Sequence, residues 1–461
     1  MVFSSYTFLF YFLPPLLILY YLIPRRSLGG RNLVLLAFSL FFYFAGGPRH
    51  LPLMLLSIAI NYVGGLLCAK RRRWALVLTM AVNLGLLGWF KYAGFVGENL
   101  QALGLPLSVP EVVLPIGISF FTFQGMSYVI DVYRGDTPPA KNPLQVALYI
   151  ALFPQLVAGP IVRYTTVAEE LVSRRETFDD FAAGALRFSF GLAKKMLLAN
   201  NLSLMADEAF STAPIGAAAA WLGAIAYTGQ IYFDFSGYSD MAIGLGRMFG
   251  FHFEENFNYP YLSKSVTEFW RRWHMSLSGW FRDYVYIPLG GSRAGTAKQV
   301  RNILLVWTLT GLWHGAAWNF LLWGLYFGIL LLGEKFWWGK ALERAPSPLR
   351  HLYAMVIVVL GWVLFRCEGL SAVGSYLGAM FGLSGAGWGQ ALYFLRQYGV
   401  FLAVGAVASL PVKDALRAAL QRRKAERTIQ WGSALAGLAL LGLSFLQLIS
   451  STANPFIYYR F

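Results

Sequence analysis

Long apolar runs alternate with short polar connections along most of this chain. The runs lie near residues 6–24, 32–45, 51–69, 74–90, 181–206, 217–250, 303–312, 315–333, 351–367, 391–410 and 431–450. A helix needs about 20 mostly apolar residues to cross the hydrocarbon core of a bilayer. The pattern therefore predicts an all-α polytopic membrane protein with about ten spans.

The apolar sequence between residues 111 and 162 is interrupted by helix-breaking and polar residues. These are Pro115, Gly117, Gln124, Gly125, Pro154, Gln155, Gly159 and Pro160. Irregular backbone at membrane depth occurs only where protein buries it or where it lines a wet cavity. The segment fits re-entrant or kinked helices around an internal chamber, and it equally fits short helices joined by loops.

The stretch from residue 254 to residue 302 is too charged to span a membrane and too aromatic for a plain loop. An amphipathic helix lying in the membrane interface has this composition, and so does a helix inserted into a protein-lined cavity. Trp270 and His274 are four positions apart in this stretch. We expect one helical face to carry both side chains.

Composition and charge support a membrane protein with a defined orientation. Hydrophobic residues make up 57% of the 461 residues and charged residues 13%, whereas a soluble domain carries about 25% charged residues. The net charge of +16 is concentrated in short clusters at Arg25-Arg26, 70–73 and 413–427. The positive-inside rule places these clusters in the cytoplasm, and it leaves both termini, including Phe461, outside.

The first apolar run, the lack of repeats, the cysteines and the basic clusters further limit the kind of membrane protein that this sequence can encode. The first apolar run ends without a small-residue cleavage site, so we expect it to be retained as a span. We see no internal repeat or linker, which predicts a single domain over residues 1–461. The cysteines, Cys68 and Cys367, predict neither a disulfide framework nor a metal site. Basic clusters between apolar runs argue against a nucleic-acid partner and favour contact with membrane lipid.

Two of the five histidines are candidates for chemistry. His314 stands between two apolar runs, and an ionisable residue at membrane depth suggests a functional site. His274 lies in the aromatic stretch. Two imidazoles in one cavity could remove a hydroxyl proton and protonate or orient a thioester leaving group. For His314, a histidine satisfied by a neighbouring helix is an equally open interpretation. For His274, an interfacial residue beside tryptophans is an ordinary alternative.

Several motifs, in order along the chain, point to one family. The chain opens with MVFSSYTFLFYFLPPLLILYYLIP and carries FPQLVAGPIVRY at 153–164, FDFSGYSDMAIGLGRMFGF at 233–251, NFNYPYLSKSVTEFWRRWHMSLSGWFRDYVYIPLGG at 256–291, GLWHGAAWNFLLWGLYFG at 311–328 and a terminal NPFIYYRF. Together they resemble the membrane-bound O-acyltransferase family. The likeness is strongest to its bacterial branch of alginate O-acetylases and their peptidoglycan- and cellulose-acetylating relatives.

The resemblance implies a fold, a site and a reaction. It implies a ring of about 10–12 transmembrane helices around a central tunnel, with His314 as the principal catalytic histidine and His274 as the second. A cytoplasmic acyl thioester, with acetyl-CoA as the expected donor and no bound cofactor, would meet an acceptor hydroxyl from outside. The product would be an O-acetylated extracytoplasmic polysaccharide such as alginate. The expected location is a bacterial inner membrane, and the expected partners are a periplasmic esterase-like acetyltransferase and a polysaccharide biosynthesis complex.

Further residues are weaker candidates for the same site. Those proposed to line the tunnel or orient a reacting group are Trp313, Asn319, Trp270 and Asp240. Arg271 and Arg272 could attract a phosphorylated donor such as CoA, although solvated topological charge is the simpler interpretation.

Three alternatives stay open. A transporter or flippase would explain broken helices and an intramembrane histidine, but it predicts inverted repeats, which the sequence lacks. A D-alanyl transferase fed by a carrier protein is less consistent with the alginate-type ending at Phe461. A non-catalytic scaffold for a polysaccharide machine is less consistent with the presence of both His274 and His314.

Overall fold

The computed structural model describes residues 1–105, 112–293, 295–385, 387–422, 425–450 and 457. Within these residues the regular structure is entirely helical, apart from one isolated antiparallel bridge between Phe257 and Trp273. The prediction of an all-α fold is confirmed. The ending at Phe461 lies outside the described residues.

The helices are numbered here in chain order. The first eleven are α1 (Leu13–Leu22), α2 (Leu28–Gly46), α3 (Leu51–Cys68), α4 (Arg73–Ala102), α5 (Ile118–Arg134), α6 (Pro143–Ala151), α7 (Phe153–Leu156), α8 (Tyr164–Val172), α9 (Phe178–Ala193), α10 (Asn200–Ser211) and α11 (Ala217–Met248). The rest are α12 (Val266–Arg272), α13 (Met275–Phe281), α14 (Thr296–His314), α15 (Trp318–Gly333), α16 (Gly339–Arg344), α17 (Ser347–Arg366), α18 (Leu370–Met380), α19 (Gly389–Ala408), α20 (Val412–Arg422) and α21 (Glu426–Ser450). Short π-helical turns occur at Thr7–Phe12, Lys194–Ala199, Arg282–Tyr286 and Glu334–Trp338, and 3-10 turns at Pro48–His50 and Pro260–Leu262.

Seven helices in the described part of the chain are long and apolar enough to cross a membrane. They are Leu28–Gly46, Pro48–Cys68, Arg73–Ala102, Trp318–Arg344, Ser347–Arg366, Gly389–Ala408 and Glu426–Ser450. The protein is therefore a multi-pass membrane protein. The expected ring of about 10–12 spans stays a prediction, because α1, α11 and α18 do not meet this criterion of length and composition.

The described residues form two compact units. The first comprises residues 1–188 and 238–254, and the second comprises residues 189–237 and 255–461. Helices α9 and α11 each contribute residues to both units. The single domain expected over residues 1–461 stays a prediction.

In the first unit, α5 is buried along nearly its whole length. It packs closely on α3, because a Cβ at Gly125 would lie 2.4 Å from the side chain of Asn61. Asn61 also exchanges a pair of 3.1 Å hydrogen bonds with Asn83 of α4, so the buried amides satisfy each other. The following helices, α6 and α7, have nine and four residues and are too short to cross a bilayer. The prediction of interrupted helices is confirmed around Pro154, but Gln124 and Gly125 lie inside the continuous helix α5, so the expected interruption there is wrong. An internal chamber lined by this region stays a prediction.

In the second unit, α14 and α15 form a tight antiparallel hairpin. A Cβ at Gly311 would lie 2.3 Å from the carbonyl oxygen of Phe320, and one at Gly324 would lie 2.2 Å from that of Trp307. Only glycine allows the two backbones to approach this closely. The hairpin fixes the end of α14, where His314 lies.

The aromatic stretch does not form one continuous helix. Helix α12 ends at Arg272, Trp273 is extended, and His274 adopts a left-handed conformation with φ 45° before α13 begins. The expectation that Trp270 and His274 share a helical face is wrong. The cause is a local pairing with residues 256–258, in which Asn258 N donates to Arg272 O and Met275 N donates to Asn256 O.

Candidate active site

His314 is the last residue of α14, and its side chain is 4% exposed. The chain packs tightly after it, since a Cβ at Gly315 would lie 2.2 Å from the ring of Phe320. The imidazole of His314 packs edge-on against Trp323, at a centroid distance of 5.1 Å, and against Phe365, at 5.2 Å. These aromatic rings of α15 and α17 give the imidazole a defined position in a mainly apolar environment.

His274 reaches the same place from a different element. Its side chain is 1% exposed, and its ring packs edge-on against Phe235 of α11 at a centroid distance of 4.7 Å. A left-handed backbone conformation is unfavourable for a residue with a side chain. Here the pairing with residues 256–258 holds it in place, and strained residues of this kind are common at functional sites.

The two imidazoles are neighbours within the second unit. Their ring centroids are 6.4 Å apart, with an angle of 63° between the ring planes. Trp313 contacts both, at 5.7 Å from His274 and 4.9 Å from His314. A hydroxyl group could lie within hydrogen-bonding distance of a ring nitrogen in such a gap, since a hydrogen bond spans about 3 Å.

The other predicted tunnel residues lie in different settings. Trp270 packs in an aromatic cluster with Trp307, Trp323 and Phe327. Asn319 is buried, and its side-chain nitrogen donates to the carbonyl oxygen of Leu364 at 3.4 Å. The contacts of both residues fit a supporting role in the walls around the pair.

The charged candidates have ionic partners or exposure of their own in the described residues. Asp240 belongs to the first unit, where its carboxylate pairs with Arg187 at 2.8 Å. Arg272 pairs with Glu268 one helical turn away, at 3.0 Å, while Arg271 is exposed. Donor binding by the two arginines stays a prediction.

Sequence reasoning missed Asn256, which is 1% exposed and bonds the ring of His274 through its side-chain oxygen at 3.0 Å. It stands 18 positions before His274, in a segment that carries no helical or strand pattern. No local spacing could have connected the two residues.

Comparison with known proteins assigns the family of this multi-pass membrane protein. The profile of the membrane-bound O-acyltransferase family matches residues 140–372, a range that includes both His274 and His314. The chain belongs to the membrane-bound O-acyltransferase family and is an O-acyltransferase.

Three relatives illustrate the similarity. A probable alginate O-acetylase of Azotobacter vinelandii is 47% identical over 83% of this chain and 78% of its own length. A probable alginate O-acetylase of Pseudomonas putida is 41% identical over 100% of both chains. A peptidoglycan O-acetyltransferase of Helicobacter pylori is 35% identical over 84% of this chain and 80% of its own length.

Proposed function

We propose that this enzyme transfers an acetyl group from a cytoplasmic thioester to a hydroxyl of an extracytoplasmic polysaccharide such as alginate. The observation that carries the proposal is the contact between two buried imidazoles, at 6.4 Å between centroids, in a membrane O-acyltransferase. A hydroxyl is a weak nucleophile until a base accepts its proton. A buried histidine pair can supply that base, whereas an acyl thioester supplies the reactive carbonyl.

In the proposed reaction His314 is the general base. The acceptor hydroxyl gives its proton to His314 while its oxygen forms an ester bond to the acyl carbon and the thioester C–S bond breaks. The departing thiolate then takes this proton from His314, so the products are an ester and a thiol. His274 would orient a reacting group. Trp313, which contacts both imidazole rings, would keep them at a fixed distance from each other.

Acetyl transfer is favoured over D-alanyl transfer by the names of the relatives. The three relatives described above are named as O-acetylases or an O-acetyltransferase. The acetyl-CoA donor, a periplasmic esterase-like acetyltransferase as partner and membership of a polysaccharide biosynthesis complex are parts of the same proposal. So are a bacterial inner-membrane location and the transfer of the acyl group outward.

His314→Ala tests the proposal. Its specific activity should fall by at least about 10²–10⁴-fold, the usual contribution of a general base. The measurement is ester-linked acetyl on surface polysaccharide in cells, together with acetyl transfer per folded molecule of detergent-purified enzyme.

The matched control is His252→Ala, which removes an exposed histidine that pairs with Glu170 in the first unit. It should keep wild-type acetylation. Wild-type acetyl ester in cells that carry His314→Ala would overturn the catalytic assignment.

A further inference from the structure

Asn256 presents one side-chain oxygen to three donors. Its Oδ1 atom lies 3.0 Å from Nδ1 of His274, 2.9 Å from Oγ of Ser276 and 3.3 Å from the backbone nitrogen of Ser276. All three residues are buried. The left-handed turn at His274 brings them together, because α13 begins directly after it and places Ser276, two positions after His274, against the asparagine.

The backbone nitrogen of Ser276 fixes which atom of the asparagine amide faces the histidine. A backbone N–H can only donate a hydrogen bond, so the atom that it meets must be the carbonyl oxygen and not the NH₂ group. A carbonyl oxygen can only accept. Nδ1 of His274 must therefore carry the hydrogen in this contact.

This hydrogen bond decides the chemistry of the other ring nitrogen. A neutral imidazole has one N–H, so hydrogen on Nδ1 leaves a lone pair on Nε2. In the described part of the chain, Nε2 of His274 is buried and has no hydrogen-bond partner. A buried acceptor without a partner costs free energy, which is a reason to expect that a substrate group occupies it during the reaction.

We infer that Asn256 is a positioning residue that holds His274 in the Nδ1–H tautomer, so that Nε2 meets the substrate as a hydrogen-bond acceptor. The inference rests on the proposed function for its link to acyl transfer. The single hydrogen of the reacting hydroxyl goes to His314, so in this tautomer Nε2 can orient the acceptor by accepting a hydrogen bond from another of its hydroxyls, but it cannot donate to the thiolate. Of the two roles first considered for His274, the contact favours orientation of the acceptor over protonation of the leaving group.

The first test reads the tautomer directly. Nitrogen-15 NMR of the purified enzyme with labelled histidine separates N–H nitrogens from lone-pair nitrogens, and His274→Gln identifies the His274 signals by their loss. The wild-type protein should show hydrogen on Nδ1 and a lone pair on Nε2. The reverse tautomer in the wild-type protein would overturn the inference without any further variant.

The second test compares three variants. Without the Asn256 oxygen, either ring nitrogen of His274 can carry the hydrogen in Asn256→Ala. Acetyl transfer per folded molecule should fall by about 10- to 100-fold, which is the loss typical when the hydrogen-bond partner of a metal-bound histidine is removed. Asn256→Asp keeps an acceptor oxygen and should restore the Nδ1–H signal and most of the activity. Ser276→Ala is the matched control, since it removes one donor to the same oxygen and leaves the bond to His274.

The outcomes separate this inference from the proposed function. Full activity in Asn256→Ala, or a Nδ1–H signal that survives in it, would overturn the positioning role. If Asn256→Ala does not fold, loss of the Nδ1–H signal in folded Asn256→Asp would overturn it instead. A failure of the proposed function would appear independently, as unchanged acetyl transfer in His314→Ala.

Discussion

Individual residues of the site differ in how visible they are in the sequence. His314 could be found because it is an isolated ionisable residue between apolar runs, and His274 because it follows a tryptophan-rich cluster in a family-like motif. Their contact could not be read from spacing, because 40 positions separate them in the sequence. Asn256 opens the motif at 256–291 but was not recognised as a site residue, since only the tertiary pairing of residues 256–258 with the turn at His274 brings it to the site.

The effect of removing His274 distinguishes an orienting role from a structural one. His274→Ala should lower acetyl transfer per folded molecule by about 10²–10⁴-fold and should retain more activity than His314→Ala. Donor binding should change little, because the proposed partner of His274 belongs to the acceptor. The measurement is steady-state turnover of purified, correctly folded protein at saturating donor.

His351→Ala is a suitable control for a histidine that supports the fold. Nδ1 of His351 lies 3.1 Å from the backbone oxygen of Ser263, in the same unit as the site. Its removal should reduce the yield of folded protein and leave turnover unchanged. The same result for His274→Ala would make His274 a structural residue.

At the scale of helices, the sequence predicted which segments are helical better than where the helices end. Residues 262–283 carry helix-compatible spacing, yet the chain leaves the helix at Trp273 and re-enters it at Met275. The break depends on backbone pairing with residues 256–258, which is a tertiary effect that overrides local propensity. The glycines of the α14–α15 hairpin were visible in the sequence, but their backbone contacts were not.

Buried charge also organises the ends of helices in the first unit. Glu176, between α8 and α9, pairs with Arg31 of α2 at 2.7 Å and accepts a hydrogen bond from Tyr20 of α1. Burial raises the pKa of the Glu176 carboxyl, but the hydrogen bond from Tyr20 and the charges of Arg31 and Arg174 lower it more. The net pKa lies below the usual value of 4.5. The ionised carboxylate therefore stabilises the folded state.

Glu176→Gln should destabilise the protein at pH 7 by about 1.5–3 kcal/mol, the usual worth of hydrogen bonds to a charged group. A folded pKa below the unfolded one gives stabilisation that is full above the unfolded pKa and is lost as the pH falls through the folded pKa. The difference in unfolding temperature from wild type should therefore shrink as the pH falls below about 4.5. Thermal unfolding of both purified proteins between neutral and acid pH measures this temperature difference.

The control for this variant is Glu343→Gln, which changes an exposed carboxylate on α16. Its unfolding temperature should match wild type at neutral pH. If the difference in unfolding temperature between Glu176→Gln and wild type stays constant down to acid pH, the charge of Glu176 does not stabilise the fold.

For the whole molecule, the exposed apolar surface of the helices requires a lipid environment. In the most apolar window of α21 only 11% of the residues are buried inside the protein, and Leu435, Leu438 and Ile449 are among its exposed side chains. Water would not tolerate such a continuous apolar surface, whereas lipid does. Composition and run length were sufficient to predict this property, because it depends on the sum of many residues and not on any single contact.

Orientation in the membrane is the remaining large-scale prediction, and it rests on the basic clusters. Arg26, Arg72 and Arg422 are exposed and should be cytoplasmic by the positive-inside rule, whereas Arg49, in the next loop after the first cluster, should be outside. Single cysteines at these positions can be labelled with a membrane-impermeant maleimide. The native Cys68 and Cys367 are both buried, so their background labelling should be low.

In intact cells only Arg49→Cys should be labelled, because the reagent cannot cross the membrane, and the other three should react only after permeabilisation. An additional cysteine at Phe461 should be labelled from outside if the C-terminus is periplasmic. Labelling of Arg422→Cys in intact cells would reverse the orientation of the C-terminal half. It would also weaken the proposed direction of transfer, because the cluster at 413–427 would then face away from the cytoplasmic donor.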